Sequence, residues 1–284
     1  MKIESVVIFV NTSKTKSESV ASDMQRWLCS KGKKVTCINL SSTEKDNLIE
    51  PPVADLAISL GGDGTVLSCA RILKNSGIPL LAVHLGSFGY ITDTTADEFR
   101  TVFEDFENGR TGLQKRLMLD VDVLRNEKSV YKTTVLNEIT VSSADRAKLV
   151  RLDLHINGIL AAKLRGDGII IATPTGSTAY SLAAGGPVLD STLEGIIVNP
   201  VCPFAMSVRP VVVSSASVIE IKVSEVSEKA LLSADGHSEF KVMWNDAVRV
   251  TRSPDYSFFV ENRNRQFIAV LRDKLGWAGG FTGA

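Results

Sequence analysis

The 284-residue sequence has no apolar run approaching the length that spans a bilayer, which argues against a membrane-embedded class. It has no excess of either charge, since Lys+Arg and Asp+Glu both number 32. That balance removes the electrostatic footprint of a dedicated nucleic-acid-binding protein. The chain opens with Met-Lys-Ile-Glu and reaches only "VVIFV" before turning polar, which suits a first buried strand better than a signal peptide. Cys29, Cys37, Cys69 and Cys202 form no C-x-x-C pair. They read as reduced core thiols of a cytoplasmic protein. Internal repeats, low-complexity linkers and charged tails are also missing. What remains, 44% hydrophobic and 23% charged residues, is the composition of a globular chain with a real core.

Hydrophobic periodicity divides that chain in two. Val6–Val10 is a short continuous apolar run, Val35–Leu40 is strand-like, and Leu56–Leu60 and Leu80–Leu85 read as further buried strands. Helix-like stretches at Val20–Leu28 and Val66–Leu73 separate them, the pattern of a parallel sheet covered on both faces. A further helix is predicted over "TTADEFRTVFEDFENG", where Thr95 and Glu98 have capping-box spacing, Phe99, Val102, Phe103 and Phe106 share a face, and Gly109 is the stop. The period then becomes alternating, in "LDVDVLRN", "RLDLHIN", "VIEIKV", "AVRVT" and "YSFFVE". Asn157-Gly158 marks a tight hairpin. The reading is an α/β domain over 1–108, completed by a helical tail over 262–284, and a mainly antiparallel β-rich domain over 109–261.

Two glycine-bracketed aspartates stand out. In "ADLAISLGGDGTVLSCA", Gly61 and Gly62 let the strand turn sharply, and Asp63 is delivered at its carboxyl end, followed by Gly64 and Thr65. A helix starting there aims free N–H groups at the turn, a site for phosphate. The pattern is not a P-loop, because the lysine is missing, nor G-x-G-x-x-G, because Leu67 replaces the third glycine. A carboxylate at such a place repels phosphate unless it binds a metal or takes a proton from an attacking hydroxyl. The plain alternative is a strand–turn–helix in which Asp63 is a cap.

The second aspartate, Asp167, lies in "RGDGIIIATPTGSTAYSLAAGGP". A strand over Ile169–Ala172 empties into "TPTGST", with four hydroxyls around a proline and a glycine, and a helix is predicted from near Ser177 to Gly185-Gly186. Thr175, Ser177 and Thr178 can cap that helix or donate to phosphate or ribose, and Tyr180 offers a ring for stacking a base. Upstream, "VLNEITV" sets Asn137 and Glu138 in an apolar strand, where they need partners if buried and otherwise reach solvent at a strand end.

Taken together, "GGDGT", "LNEI", "RGDGIIIATPTGSTAYSLAAGGP", "CPFAMSVRPVVV", "SADGH" and "KLGW" resemble the NAD kinase family in order and spacing, from about Val6 to Trp277. The resemblance implies phosphoryl transfer from ATP, or in some members polyphosphate, to the 2′-hydroxyl of the adenosine ribose of NAD, with a divalent metal, magnesium foremost. It implies Asp63 as the base with Gly64 beside the substrate, and Gly61, Gly62 and Thr65 as phosphate-loop candidates. Asn137 and Glu138 match the nucleotide-contacting pair, and Asp167 the acid at the ribose. Thr178, Ala179, Tyr180, Ser181, Leu182 and Ala183 match the adenosine loop, and Lys148, Arg165 and His237 match polar or basic contacts. Nucleotides are the implied partners, without nucleic acid or membrane, in a cytoplasmic homo-oligomer, dimer or tetramer. Departures from the pattern are His84 for asparagine, Phe88 for leucine, Gly166 and Ala183 for serine, and Phe204 for histidine. Two rivals are a lipid or sphingoid-base kinase using the same turn, which leaves "TPTGSTAYSL" unexplained, and a non-catalytic NAD(P) sensor.

Overall fold

A computed structural model describes residues 2–13, 16–40, 50–86, 89–145, 148–225 and 229–276. The chain divides into two compact units, one of Met1–Lys115 with Ser257–Ala284 and one of Arg116–Tyr256.

Unit 1 runs β1 (Ser5–Asn11), α1 (Ser17–Ser30), β2 (Lys34–Leu40), β3 (Leu56–Gly61), α2 (Asp63–Ile72), β4 (Leu80–His84), the two-residue β5 (Thr94–Thr95) and α3 (Phe99–Glu107). The strands lie parallel in the order β2-β1-β3-β4, with Ile8 opposite both Cys37 and Ile58. Val6, Ile8 and Val10 point to one face, where they pack with Leu28 of α1 and Phe99, Phe103 and Phe106 of α3. Helix α2 buries Val66, Leu67, Ala70 and Ile72 and packs on β3, β4 and β1 from the other face. Because the chain leaves β1 toward β2 and leaves β3 toward β4, the order reverses between β1 and β3. In open α/β sheets ligands gather at the carboxyl ends flanking that point. The Thr95–Glu98 capping box is present as reciprocal bonds of 3.0 Å, and Gly109, at φ +68°, follows the helix end.

Unit 2 takes up β6 (Leu113–Arg125) from Arg116 and continues with β7 (Lys128–Val135), β8 (Glu138–Ser143), β9 (Val150–Ile156), β10 (Ile159–Gly166) and β11 (Gly168–Ala172). There follow α4 (Tyr180–Ala183), β12 (Gly195–Val201), β13 (Val211–Ser214), β14 (Ile219–Val223), β15 (Ala230–Ala234), β16 (Ser238–Val242) and β17 (Ala247–Val260), the last belonging to unit 2 as far as Tyr256. One antiparallel layer contains β10-β9-β14-β17, and the other is ordered β13-β12-β11-β8-β15-β16. Leu152, Leu154, Ile219 and Val248 of the first meet Ile139, Val141, Ile171 and Leu232 of the second in one core. The hairpin at Asn157-Gly158 has φ of +52° and +80°, the positive pair that a type I′ turn requires. After β17 the chain returns to unit 1 as α5 (Phe267–Leu275), whose Lys274 ammonium lies 5.8 Å from the ring centre of Tyr90. Trp277 lies outside the described residues.

The architecture is the expected α/β domain plus antiparallel β-rich domain, with local corrections. "AVRVT" and "YSFFVE" form one strand through Pro254 rather than two. The strand carrying "LNEI" begins at Glu138, leaving Asn137 just outside it. The helix predicted after "TPTGST" is broken into a 3₁₀ turn over Thr175–Thr178 and the single turn α4, because Ala179 takes ψ −129°. All four cysteines are free, but only Cys69 is buried. Cys37 is on the edge strand β2, which is largely exposed, and Cys29 is near the end of α1 next to the buried Leu28.

Candidate active site

In unit 1 the switch point is lined by Asn11 at the end of β1 and by the Gly61–Thr65 turn after β3. The first N–H groups of α2 have no acceptor within the helix, while those of Thr65 and Val66 donate to the Gly62 carbonyl at 2.9 and 3.2 Å. The buried Thr65 hydroxyl accepts from Asn11 Nδ2 at 3.1 Å and from the Gly62 N–H at 3.4 Å, tying the two strand ends together. Gly61 must stay bare, since a Cβ there would lie 2.1 Å from Thr65 Oγ1. Gly64 is exposed at the mouth of the helix.

Asp63 is half-buried and does not cap α2 with its side chain. Its carboxylate reaches the segment after β4. Oδ2 accepts from the Tyr90 N–H at 2.9 Å, and Oδ1 accepts from the N–H groups of Ile91 and Thr92 at 3.3 and 3.0 Å and from the Thr92 hydroxyl at 2.9 Å. His84, at the end of β4, is buried, and burial holds its imidazole below the usual range. It lines a cleft of about 710 Å³ with Ser13, Lys16, Gly86, Thr95 and Asp97. Phe88 lies outside the described residues.

Unit 2 holds the other residues that the motifs single out. Asn137 and Glu138 are buried at 6% and 8% exposure, and Asn137 Oδ1 and Glu138 Oε2 have no hydrogen-bond partner among the described residues. Burial, and after it the neighbouring Asp235 carboxylate, pushes the Glu138 carboxyl up to about 8. Asp235 sits at φ +48° in the β15–β16 turn and collects the N–H groups of Leu136 (3.0 Å), Asn137 (2.8 Å) and Glu138 (3.1 Å). The "TPTGST" loop braces the same stretch from another side. Thr173 Oγ1 donates to the Leu136 carbonyl at 2.5 Å, and the Thr173 N–H to that of Asn137 at 2.8 Å.

Of the four hydroxyls in that loop, those of Thr173, Ser177 and Thr178 donate to backbone carbonyls, whereas Thr175 Oγ1 is buried with no hydrogen-bond partner among the described residues. Three buried orphan polar atoms, on Asn137, Glu138 and Thr175, therefore stand beside one braced backbone. Groups of this kind are costly unless a ligand satisfies them. Gly176 packs directly on that backbone, where a Cβ would fall 2.2 Å from the Asn137 carbonyl oxygen. Gly176→Ala is expected to destabilise the chain by about 1–3 kcal/mol through overpacking, read as a lowered Tm. An unchanged Tm would show that the loop does not bear on Asn137.

The remaining residues are more open. Ala179 and Leu182 are half-buried, Ser181 is buried beside Asn199 Nδ2 at 3.3 Å, Ala183 is exposed, and the Tyr180 ring is half exposed. Lys148 is exposed and pairs with Asp145 at 2.9 Å, and His237 is exposed in the β15–β16 turn. Arg165 stacks its guanidinium 5.2 Å from the ring centre of Phe204, itself 73% exposed. The Cys202 thiol donates to Asp167, whose carboxylate pushes that thiol up. Gly166 is wedged where a serine would not fit unmoved, a Cβ falling 2.9 Å from the carbonyl oxygens of Val201 and Cys202.

The register sets Gly168 opposite Ser142 and Ala172 opposite Glu138. Asp167, level with Ser143, and Glu138 thus stand at opposite ends of the β8–β11 pair, about 17 Å apart along the strand. The sequence motifs did not single out Asn11, Gly89–Thr92, or Asp235 as the anchor of "LNEI". Only Asp235, inside "SADGH", carried any signal.

Known proteins resemble this chain over most of its length. Residues 48–111 match the family profile described as "ATP-NAD kinase N-terminal domain", and residues 136–262 match that of the "ATP-NAD kinase C-terminal domain". An NAD kinase of Geobacter sulfurreducens is 33% identical over 282 residues, covering 97% of this chain and 99% of the relative. One of Nitrosomonas europaea is 40% identical over 226 residues, covering 80% and 76%. The crystal structure of an NAD kinase from Archaeoglobus fulgidus in complex with ATP superposes with a TM-score of 0.76 at 26% identity, covering 97% of this chain and all of that one. Yeast NADH kinase complexed with NADH gives a TM-score of 0.89 at 24% identity, covering 99% and 90%, a likeness of fold. A parallel sheet with a carboxylate at its switch point, joined to a β-sandwich with orphaned polar groups, defines a nucleotide-handling α/β protein. The chain belongs to the NAD kinase family.

Proposed function

We propose that the chain transfers the terminal phosphoryl group of ATP to the 2′-hydroxyl of the adenosine ribose of NAD, giving NADP and ADP. The observation that carries this reading is Asp63, a carboxylate fixed at the switch point next to free helix N–H groups. Phosphoryl transfer needs an oriented hydroxyl, a group to take its proton, and donors around the phosphates. The ribose oxygen bonds to the terminal phosphorus, the bond from that phosphorus to the bridging oxygen breaks with its electrons leaving on ADP, and the hydroxyl proton passes to Asp63. Gly61, Gly62, Gly64 and Thr65 present backbone and hydroxyl to the phosphates.

The buried orphans on Asn137, Glu138 and Thr175 support NAD as the acceptor, since a nucleotide brings the hydroxyl and amide partners they lack. Tyr180 supplies the stacking face, with Thr178, Ala179, Ser181, Leu182 and Ala183 around the adenosine, and Lys148, Arg165 and His237 as peripheral contacts. The donor is read as Mg–ATP, the ion travelling with the phosphates. This fits the residues present: Asp63 already accepts four hydrogen bonds, and no cluster of three His, Cys, Asp or Glu that could hold a metal occurs among the described residues. Polyphosphate is the other donor of this reading. The separation of Asp167 from Glu138 along β11 supports a homo-oligomer, dimer or tetramer, in which the Arg165–Asp167 end of one copy serves the site of another. No helix among the described residues is long and apolar enough to cross a membrane, and the cytoplasm is the compartment this reading assigns.

The test is to incubate purified chain with Mg–ATP and NAD and read product with an NADP-specific dehydrogenase. NADP formation is expected. Phosphorylation of a lipid instead, or nucleotide binding without turnover, would overturn the reading.

A further inference from the structure

The segment that holds Asp63 lies outside every motif that points to the nucleotide. Thr92 is 1% exposed and directs both its N–H and its hydroxyl at the same oxygen, Asp63 Oδ1, at 3.0 and 2.9 Å. The Gly89 N–H donates to Thr92 Oγ1 at 3.1 Å, which takes one acceptor site of that hydroxyl and leaves its proton for Asp63. Gly89 itself lies against the carboxylate, since a Cβ there would fall 1.8 Å from Oδ1 and 2.4 Å from Oδ2. No other residue allows backbone and carboxylate to approach so closely. A carboxylate offers about four lone-pair sites. Oδ1 is fully engaged, and Oδ2, with the Tyr90 N–H alone among the described residues, keeps one open.

We propose that Thr92 is a positioning residue for phosphoryl transfer. With Gly89 it forms a clamp that fixes Asp63 through Oδ1 and turns the open lone pair of Oδ2 to the attacking hydroxyl. The proposal rests on Asp63 being the proton acceptor. In a loose transition state the attacking oxygen has formed little bond to phosphorus, so the direction of the acceptor lone pair matters, and the clamp fixes it.

The test compares Thr92→Val, which keeps the shape and loses the hydroxyl, with Thr92→Ser, Asp63→Asn and the double variant Asp63→Asn/Thr92→Val. Each is measured for kcat, KM for NAD and Tm in the NADP-coupled assay. Thr92→Val is expected to lower kcat about 10-fold or more with KM within about twofold. Thr92→Ser should recover most of the loss, and Thr92→Val should add nothing once Asp63 is asparagine. Wild-type kcat in Thr92→Val beside an inactive Asp63→Asn would overturn the positioning role alone, as would an additive loss in the double variant. Wild-type turnover in Asp63→Asn would overturn the assignment of Asp63 on which the clamp depends. Should Thr92→Val fail to fold, Gly89→Ala supplies the second reading. Its Cβ displaces the carboxylate, and it should lose kcat while still binding NAD; an unaffected kcat would reject the clamp.

Discussion

Asp63→Asn is expected to lower kcat by about 10²- to 10⁴-fold, the range that a general base contributes, with fold and NAD binding intact. The substitution is nearly isosteric. An amide oxygen in the place of Oδ1 still accepts from Ile91, Thr92 and the Thr92 hydroxyl. The amide nitrogen then faces the Tyr90 N–H, which donates to Oδ2 in the native chain, so one hydrogen bond is lost. That loss is about 1 kcal/mol, a small drop in Tm, and the buried orphans proposed to meet NAD are untouched. What disappears is the capacity to take the proton. Steady-state kcat beside calorimetric NAD binding separates the effects, and unchanged turnover would remove Asp63 from the chemistry.

The second large effect is one of pH. The Glu138 carboxyl titrates near about 8 in the folded chain, against an ordinary value of 4.5. Below pH 4.5 the group is protonated in both folded and unfolded states and carries no penalty. As pH rises toward 8, the unfolded chain releases this proton while the folded chain keeps it, and above 8 the folded chain must bear a buried charge beside Asp235. Stability contributed by the neutral carboxyl is therefore fully present below pH 4.5 and is lost as pH rises through 8. At about 1.4 kcal/mol per pKa unit the full span is about 5 kcal/mol. Urea unfolding of wild type and Glu138→Gln should give equal midpoints near pH 4. The variant should become the more stable by about 2–4 kcal/mol at pH 9. A difference that does not change with pH would show that Glu138 titrates normally.

Much of this chain could be read before its structure was known. The inner strands β1, β3 and β4 of unit 1 are written in nearly continuous apolar runs because both their faces are buried, and the layers of unit 2 in alternation because each has one buried face. Asn157-Gly158 and the Thr95–Glu98 box are local devices, and both are present as expected. The turn at Gly61–Thr65 was also legible, since a sharp bend needs glycine. The partners of Asp63 were hidden because three of its four donors are backbone N–H groups, which every non-proline residue has. The same blindness concealed Asp235, whose carboxylate collects three backbone N–H groups. The helix after "TPTGST" was overextended because Ala, Tyr, Ser and Leu compose helices well, while the break at Ala179 is a matter of backbone angle. Apolar flanks likewise suggested buried cysteines, but flanking sequence does not reveal that β2 is a sheet edge.

Unit 1 is built from both ends of the chain, and this bears on how it is made. On the outer side of β4, β5 pairs with Val83 and His84 soon after they are made, but Phe259 pairs with Leu80, so that end waits for a strand translated long after β1–β5 have left the ribosome. In the interval unit 2, which is contiguous, can fold first, while the Leu80 end of β4 keeps its outer backbone unpaired. An exposed parallel edge invites association with other chains. The unit that carries Asp63 is the first to be synthesised and the last to be completed.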